Sequence, residues 1–145
     1  MDVFLAGVIQ GSLAEAAIHE QTWRDGIKAI LQQHLPDARV YCHYSEHPES
    51  ITYDLPAIRR TFAEGNRRAG QCDLLIAYLP EASMGTAIEM HEACARGAAI
   101  VAVTPLTANW VIRAYSDRIV PDVAAFEALA ASGELAQLVA AKRQM

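Results

Sequence analysis

Residues 73–89 read Asp73-Leu74-Leu75-Ile76-Ala77-Tyr78-Leu79-Pro80-Glu81-Ala82-Ser83-Met84-Gly85-Thr86-Ala87-Ile88-Glu89. The first seven make a nearly continuous apolar run, the pattern of a strand buried on both faces of a parallel sheet. Proline, hydroxyl residues and glycine then break the run. A helical pattern follows from about Thr86 to Arg96 and closes at Gly97, a favoured C-terminal cap residue. A buried strand passing through a short turn into a helix is the repeating piece of an α/β fold, and the rest of the chain fits around it.

On the N-terminal side, Asp2 to Ile9 is a strand candidate that ends in Gln10-Gly11-Ser12. A helix is expected from about Leu13 to His34, with Leu13, Ala16, Ala17, Ile27, Ile30 and Leu31 as its inward stripe, stopped by Leu35-Pro36-Asp37. Arg39 to Tyr44 reads as the second strand, Ser45 to Ser50 as the longest loop, and about Leu55 to Gly70 as the next helix. Beyond residue 97, Ala99 to Thr104 is the fourth strand, Asn109 to Ser116 a short helix and Arg118 to Val120 a fifth strand. Asp122 to Gln144 makes one or two terminal helices, divided near Ser132-Gly133. Strands alternating with helices imply a single domain over residues 1–145. Its expected architecture is a doubly wound parallel five-stranded sheet of the flavodoxin or Rossmann type. Ligands of such sheets bind outside the carboxyl ends of the strands, so Gly7 to Ser12, Pro80 to Glu89 and Thr104 to Trp110 are expected to meet around a crevice.

Composition narrows the function classes. With 145 residues, 52% of them hydrophobic and 20% charged, the chain can bury a proper core and is not of the disordered class. The net charge of −5 argues against coating nucleic acid or an anionic membrane surface, while leaving room for one local phosphate contact. No apolar run reaches the roughly 18 residues of a membrane span, and the start Met-Asp-Val-Phe-Leu-Ala-Gly lacks a charged leader, so a cytoplasmic protein is expected. Cys42, Cys72 and Cys94 form no Cys-x-x-Cys pair and read as small buried hydrophobes. His43 and His47 are four apart but flank a loop without Glu or Cys at ligand spacing, so no metal is expected. His19 and His34 read as helix-surface residues, and His91 as pointing away from Glu89.

Two segments carry the chemistry. Gly7-Val8-Ile9-Gln10-Gly11-Ser12 has neither the spacing of a dinucleotide site nor that of a phosphate loop; it is either an anion-holding turn or an ordinary tight one. In Ser83 to Glu89 a hydroxyl and a glycine stand at the end of a buried strand, and a carboxylate follows. That pattern has two readings: a carboxylate at the ligand crevice, or a capping box in which Thr86 caps the helix and Glu89 reaches back to the N-cap.

The order of Phe4-Leu5-Ala6-Gly7, then Asp73 to Tyr78, then Ser83-Met84-Gly85-Thr86-Ala87-Ile88-Glu89 resembles the nucleoside 2-deoxyribosyltransferase family. That family includes deoxynucleoside 5′-monophosphate N-hydrolases and CMP N-glycosidases, and the resemblance runs over most of the domain, from about residue 3 to about residue 120. It implies an enzyme without metal or redox cofactor that breaks or exchanges an N-glycosidic bond, with Glu89 as the nucleophile forming a glycosyl ester. Ser83 aligns where the monophosphate hydrolases tend to carry serine and the nucleoside transferases aspartate. This implies a nucleoside monophosphate over a nucleoside, because a hydroxyl donates to a phosphate that a carboxylate would repel. Gln10 stands where the hydrolases often supply arginine; Arg24, Arg59, Arg60 and Arg113 are the candidates to replace it.

Phe4 falls where relatives have tyrosine, and is either a neighbour of the sugar or a core aromatic. The family's acidic residue at the leaving base aligns close to Gly65, leaving Glu64 or Asn66 to serve after a one-residue shift, which turns a side chain by about 100° around a helix. Asp73 reads as structural. Asn109, with Ser116 as a further candidate, is either a contact into a neighbouring subunit's site or a helix N-cap. The implied substrate-binding set is therefore Phe4, Gly7, Gln10, Ser83, Gly85 and Asn109, the catalytic set is Glu89 with Asn66 or Glu64, and the implied assembly is a homodimer or larger oligomer with shared sites. Hydrolysis of a pyrimidine nucleoside monophosphate is the favoured reading. Base exchange, a cytokinin-type phosphoribohydrolase, which shares a Gly-Thr-x-x-Glu turn, and a non-catalytic nucleotide-binding protein stand as alternatives.

Overall fold

The structure, a computed structural model, describes residues 1–144. Its strands are β1 (Asp2–Gly7), β2 (Arg39–Cys42), β3 (Leu74–Tyr78), β4 (Ala99–Val103) and β5 (Arg118–Val120). They form one all-parallel sheet in the order β2-β1-β3-β4-β5, with Leu5 opposite Ile76 and Ile76 opposite Val101. The helices are α1 (Trp23–His34), α2 (His43–Glu46), α3 (Leu55–Ala69), α4 (Met84–Ala95), α5 (Trp110–Tyr115), α6 (Val123–Ala131) and α7 (Glu134–Lys142). Strand order reverses between β1 and β3, the topological switch point of a doubly wound sheet. Among the described residues no single helix is long and apolar enough to cross a membrane.

Period-two alternation divides the core. Leu5, Leu74, Ile76, Val101 and Val103 point to one face, where they pack with Ile27 and Leu31 of α1, Phe126 of α6, and Leu135 and Val139 of α7. Phe4, Ala6, Leu75, Ala77, Ile100 and Ala102 point to the other, against Ala69 of α3, Met90 and Ala93 of α4, and Ile112 of α5. On this second face Ala6, Ala77 and Ala102 lie side by side near the carboxyl ends of three strands. Three methyl groups in a row keep the sheet shallow there.

The largest correction concerns the first helix. Residues 8–22 form an irregular loop, and α1 starts only at Trp23. Helix-forming residues such as Leu13, Ala14, Ala16 and Ala17 are overruled by tertiary bonds. His19 N donates to Ile9 O at 2.7 Å, and the Gln21 side chain donates to the carbonyls of Val8 and His19. His19 also pairs with Glu81 at 2.8 Å, which ties the loop to the turn after β3. Leu13, Ala16 and Ala17 are consequently exposed, whereas Ile27, Ile30 and Leu31 are buried as expected.

The longest irregular connection is thus 8–22 rather than 45–50. The latter region holds α2 and a 3-10 turn at Ser50–Thr52, so β2 stops at Cys42 instead of Tyr44. Cys42 is buried and Cys72 partly so, but Cys94 is exposed on α4, contrary to the expectation of three buried cysteines. Asp73 accepts from the Asp2 backbone N–H at 2.7 Å and pairs with Arg143 at 2.8 Å, a structural role at the amino edge of the sheet.

Gly7 closes β1 beneath the Trp23 ring, which stacks on Tyr78 with centroids 4.3 Å apart. A methyl group on Gly7 would come within 2.3 Å of the Trp23 ring and 2.9 Å of the Tyr78 carbonyl oxygen. Gly7→Ala is therefore expected to destabilise the fold by about 1–3 kcal/mol, the usual cost of overpacking, read as a lower urea midpoint at unchanged m-value.

Candidate active site

The site lies at the switch point, on the face covered by α3 and α4. A cavity of about 390 Å³ opens there. Its walls are the end of β1 and the following loop (Gly7, Ile9, Gln10, Gly11, Ala16), the end of β2 (His43), the 3-10 region (Ser50, Ile51, Tyr53), one stripe of α3 and the start of α4. The α3 stripe is Ile58, Thr61, Phe62 and Gly65, at spacings of three, four and seven from the first residue, which is one side of a helix.

The start of α4 decides where Glu89 points. Ser83, not Thr86, is the N-cap: its backbone is extended and its Oγ accepts from Thr86 N at 3.3 Å. The capping-box reading fails because Thr86 is the third helical residue and buried. Glu89 stands in the second turn, beyond reach of the N-cap. Ser83, Thr86 and Glu89, each three residues apart, line the cavity along one edge of the helix. Gly85, also on the wall, would place a methyl group 3.7 Å from the Phe62 ring, an ordinary contact.

The Glu89 carboxyl keeps only partial access to the crevice and, among the described residues, accepts no hydrogen bond. Burial pushes its pKa up to about 8, against a weaker downward pull from Arg24. His43, across the cavity from it, is pushed down to about 4 by burial and by its neighbours His47 and Arg24. At neutral pH the site therefore holds a protonated carboxyl and a neutral imidazole.

The expected site residues divide as follows. Gly7, Gln10, Ser83, Gly85 and Glu89 come together on the cavity wall. Phe4 does not: it is 1% exposed in the core under α3, its ring 5.3 Å from that of Tyr41. Neither Glu64 nor Asn66 lines the cavity; Glu64 pairs with Arg68 at 2.9 Å on the outer side of α3, and Gly65 between them faces inward. The one-residue shift thus carries both side chains off the site. Asn109 caps α5, its Oδ1 accepting from Val111 N at 3.0 Å and Ile112 N at 3.4 Å, and the segment from Thr104 to Trp110 stays clear of the cavity. Thr104 is buried and donates to Leu79 O at 2.6 Å, which ties the start of that segment to the end of β3.

None of the four candidate arginines reaches the cavity wall. Arg24 is buried with its donors on Leu5 O, Gly7 O and Cys42 Sγ, while Arg59, Arg60 and Arg113 are exposed on α3 and α5. His91 is exposed and meets Tyr115 Oη at 3.1 Å. Sequence reasoning missed His43, Gly65, Tyr53 and the α3 stripe. The signal that would have found them is a glycine inside a helix, which costs about 1 kcal/mol relative to alanine and so points to a close approach.

No family model and no curated protein matches the sequence. Solved structures do share its fold. A 2-deoxyribosyltransferase from Bacillus psychrosaccharolyticus superposes with a TM-score of 0.65 at 16% identity, over 88% of this chain and 90% of that one. A conserved protein from Enterococcus faecalis V583 follows at 0.60 and 18%, over 91% and 98%. A CMP N-glycosidase of Clostridium botulinum gives 0.52 and 21%, over 88% and 96%. At these identities the likeness establishes a shared fold.

The raised carboxyl has a consequence for stability. Between the ordinary glutamate value of 4.5 and about 8, the folded protein holds a proton on Glu89 that the unfolded chain releases. This contribution is complete below pH 4.5 and is lost as pH climbs to about 8, worth up to about 5 kcal/mol for a fully desolvated group and less for one with a path to solvent. Glu89→Gln should remove that slope. The melting temperature of the variant relative to wild type is expected to rise from pH 5 to pH 9 by several degrees in differential scanning calorimetry.

Proposed function

We propose that the protein is an enzyme of the nucleoside 2-deoxyribosyltransferase type that breaks the N-glycosidic bond of a nucleoside-class substrate through a glycosyl ester on Glu89. The observation that carries this reading is the Glu89 carboxyl in the cavity beside the α4 N-terminus, with its lone pairs unengaged by protein donors. Two fold relatives bear names of the same chemistry, the 2-deoxyribosyltransferase and the CMP N-glycosidase.

As the C–N bond lengthens, positive charge gathers on the anomeric carbon. An unpaired carboxylate stabilises that charge and then bonds to it. The base departs, and water enters from the crevice to release the sugar. An acceptor base in place of water would make the same intermediate a transfer reaction.

Within this reading the favoured substrate is a pyrimidine nucleoside 5′-monophosphate, hydrolysed rather than exchanged. Ser83 uses an oxygen lone pair to cap α4 and keeps its hydroxyl proton for a ligand; Met84 and Gly85 lie in the first helical turn, where backbone N–H groups have no intrahelical acceptor. A second reading, an unphosphorylated nucleoside, is favoured by the polar wall itself, whose side chains are hydroxyls, the Gln10 amide, an imidazole and a carboxyl. The apolar residues left in solvent on the α3–α5 face, including Met84 at 82% and Trp110 at 86% exposure, support a second copy of the chain packing on this side. Sedimentation of the active protein as a monomer would sink that assembly.

Incubation with ribo- and deoxyribonucleosides and their 5′-monophosphates, followed by chromatography of free base, is expected to show base release from a pyrimidine monophosphate. The pH profile of kcat/KM is expected to inflect near 8, where Glu89 loses its proton in the free enzyme. Glu89→Gln is expected to lower it by about 10⁴-fold or more. Full activity in that variant would remove Glu89 from the nucleophile's role.

A further inference from the structure

A methyl group built on Gly65 would sit 3.3 Å from His43 Nδ1 and 3.9 Å from Glu89 Oε1. Imidazole and carboxyl therefore border one notch in the cavity wall, with no side chain between them because residue 65 has none. His43 stands at the first position after β2 and is steadied by its aromatic neighbours. Tyr41 Oη lies 3.5 Å from Nδ1, the His47 ring packs at 5.0 Å, and His47 in turn meets Tyr53 Oη at 3.0 Å. The other charged groups acting on His43 are Arg24 from α1 and Glu64 from α3, the latter held outside by Arg68.

We propose that His43, seated in the notch left by Gly65, takes the proton from the Glu89 carboxyl and delivers it to the departing base. This rests on the glycosidic reading above and adds to it the group that serves the leaving base, a role for which neither Glu64 nor Asn66 is placed. In the first half-reaction the Glu89 proton passes to the imidazole through one bridging water in the notch. The freed carboxylate forms the C–O bond to the anomeric carbon. The C–N bond breaks with its electron pair on the base, and the base takes the proton from the imidazolium.

In the second half-reaction a water oxygen attacks the anomeric carbon and its proton goes to His43. The ester C–O bond breaks with its pair on Glu89, and the proton returns to the carboxyl. The sum is glycoside plus water giving free sugar and protonated base. Proton transfer is uphill in the free protein, where Glu89 is held near 8 and His43 near 4. It becomes favourable as negative charge collects on the leaving base, so the imidazolium exists only when it is needed.

The test compares two leaving groups on one sugar phosphate: the pyrimidine base, which needs a proton to depart, and 4-nitrophenolate, which does not. His43→Gln is expected to lower kcat/KM for base release by about 10²–10³-fold while nitrophenol release falls less than about fivefold. Glu89→Gln should abolish both. His43→Ala combined with Gly65→Asp, in which the lost ring makes room for a carboxyl in the notch, should recover at least about tenfold of the activity lost in His43→Ala on the natural base. Equal loss on both leaving groups in His43→Gln, or no loss on either, overturns this proposal alone. A wild-type protein that releases neither base nor nitrophenol overturns the glycosidic reading and this proposal with it.

Discussion

The position at which α4 begins governs the site. Ser83 caps the helix, so Thr86, Met90 and Ala93 fall on its inner side and are buried against the sheet and α3. Burying a side chain the size of Met90 is worth about 1.5–3 kcal/mol, more than an alternative cap could return, so packing and capping fix the same rotational setting. With that setting the edge carrying Ser83, Thr86 and Glu89 faces the crevice. A start three residues later would have turned Glu89 toward the backbone and spent its lone pairs on amide protons. One hydroxyl at the end of β3 thus separates a helix-capping glutamate from one that faces the crevice.

The fold was legible because the three central strands are short, buried and rich in Val, Ile, Leu and Ala, and because the division at Ser132-Gly133 and the cap at Asp122 are local signals. What escaped was tertiary. Leu13 to Thr22 carries good helix formers, but the His19 N–H donates to Ile9 O and the His19 ring is anchored on Glu81, some sixty positions away in sequence. Half of the site was legible for the same reason as the fold: the rule that ligands sit at the carboxyl ends of parallel strands picked out Gly7, Gln10, Ser83 and Glu89. The other half depends on α3 crossing above those ends and on His43 following β2, and Gly65 reveals itself only through what it leaves out. Asn109 and Phe4 had two readings each. The geometry gives Asn109 a cap and Phe4 a place in the core.

The shallow row of Ala6, Ala77 and Ala102 belongs to the same design of space. Larger residues there would lift α3 and α4 from the sheet and widen the notch that Gly65 leaves. Packing on this face therefore sets how far the imidazole stands from the carboxyl. Changes in the core beneath the helices would act on the chemistry without touching a polar group.

Arg24 completes the electrostatic setting from below. It is 3% exposed and has no direct carboxylate partner among the described residues. Its donors are spent on Leu5 O, Gly7 O, Cys42 Sγ and Gln21 Oε1, and the Trp23 ring lies 4.2 Å from its charge. Those contacts keep the guanidinium short of a salt bridge with Glu89, yet its field still offsets part of the burial that raises the carboxyl. A direct bidentate pair would have held Glu89 permanently ionised and occupied both of its oxygens. A distant cation leaves the carboxyl neutral at rest and its oxygens free. On the proposed glycosidic reading, the first strong partner the carboxylate meets is then the anomeric carbon of a substrate whose bond begins to open.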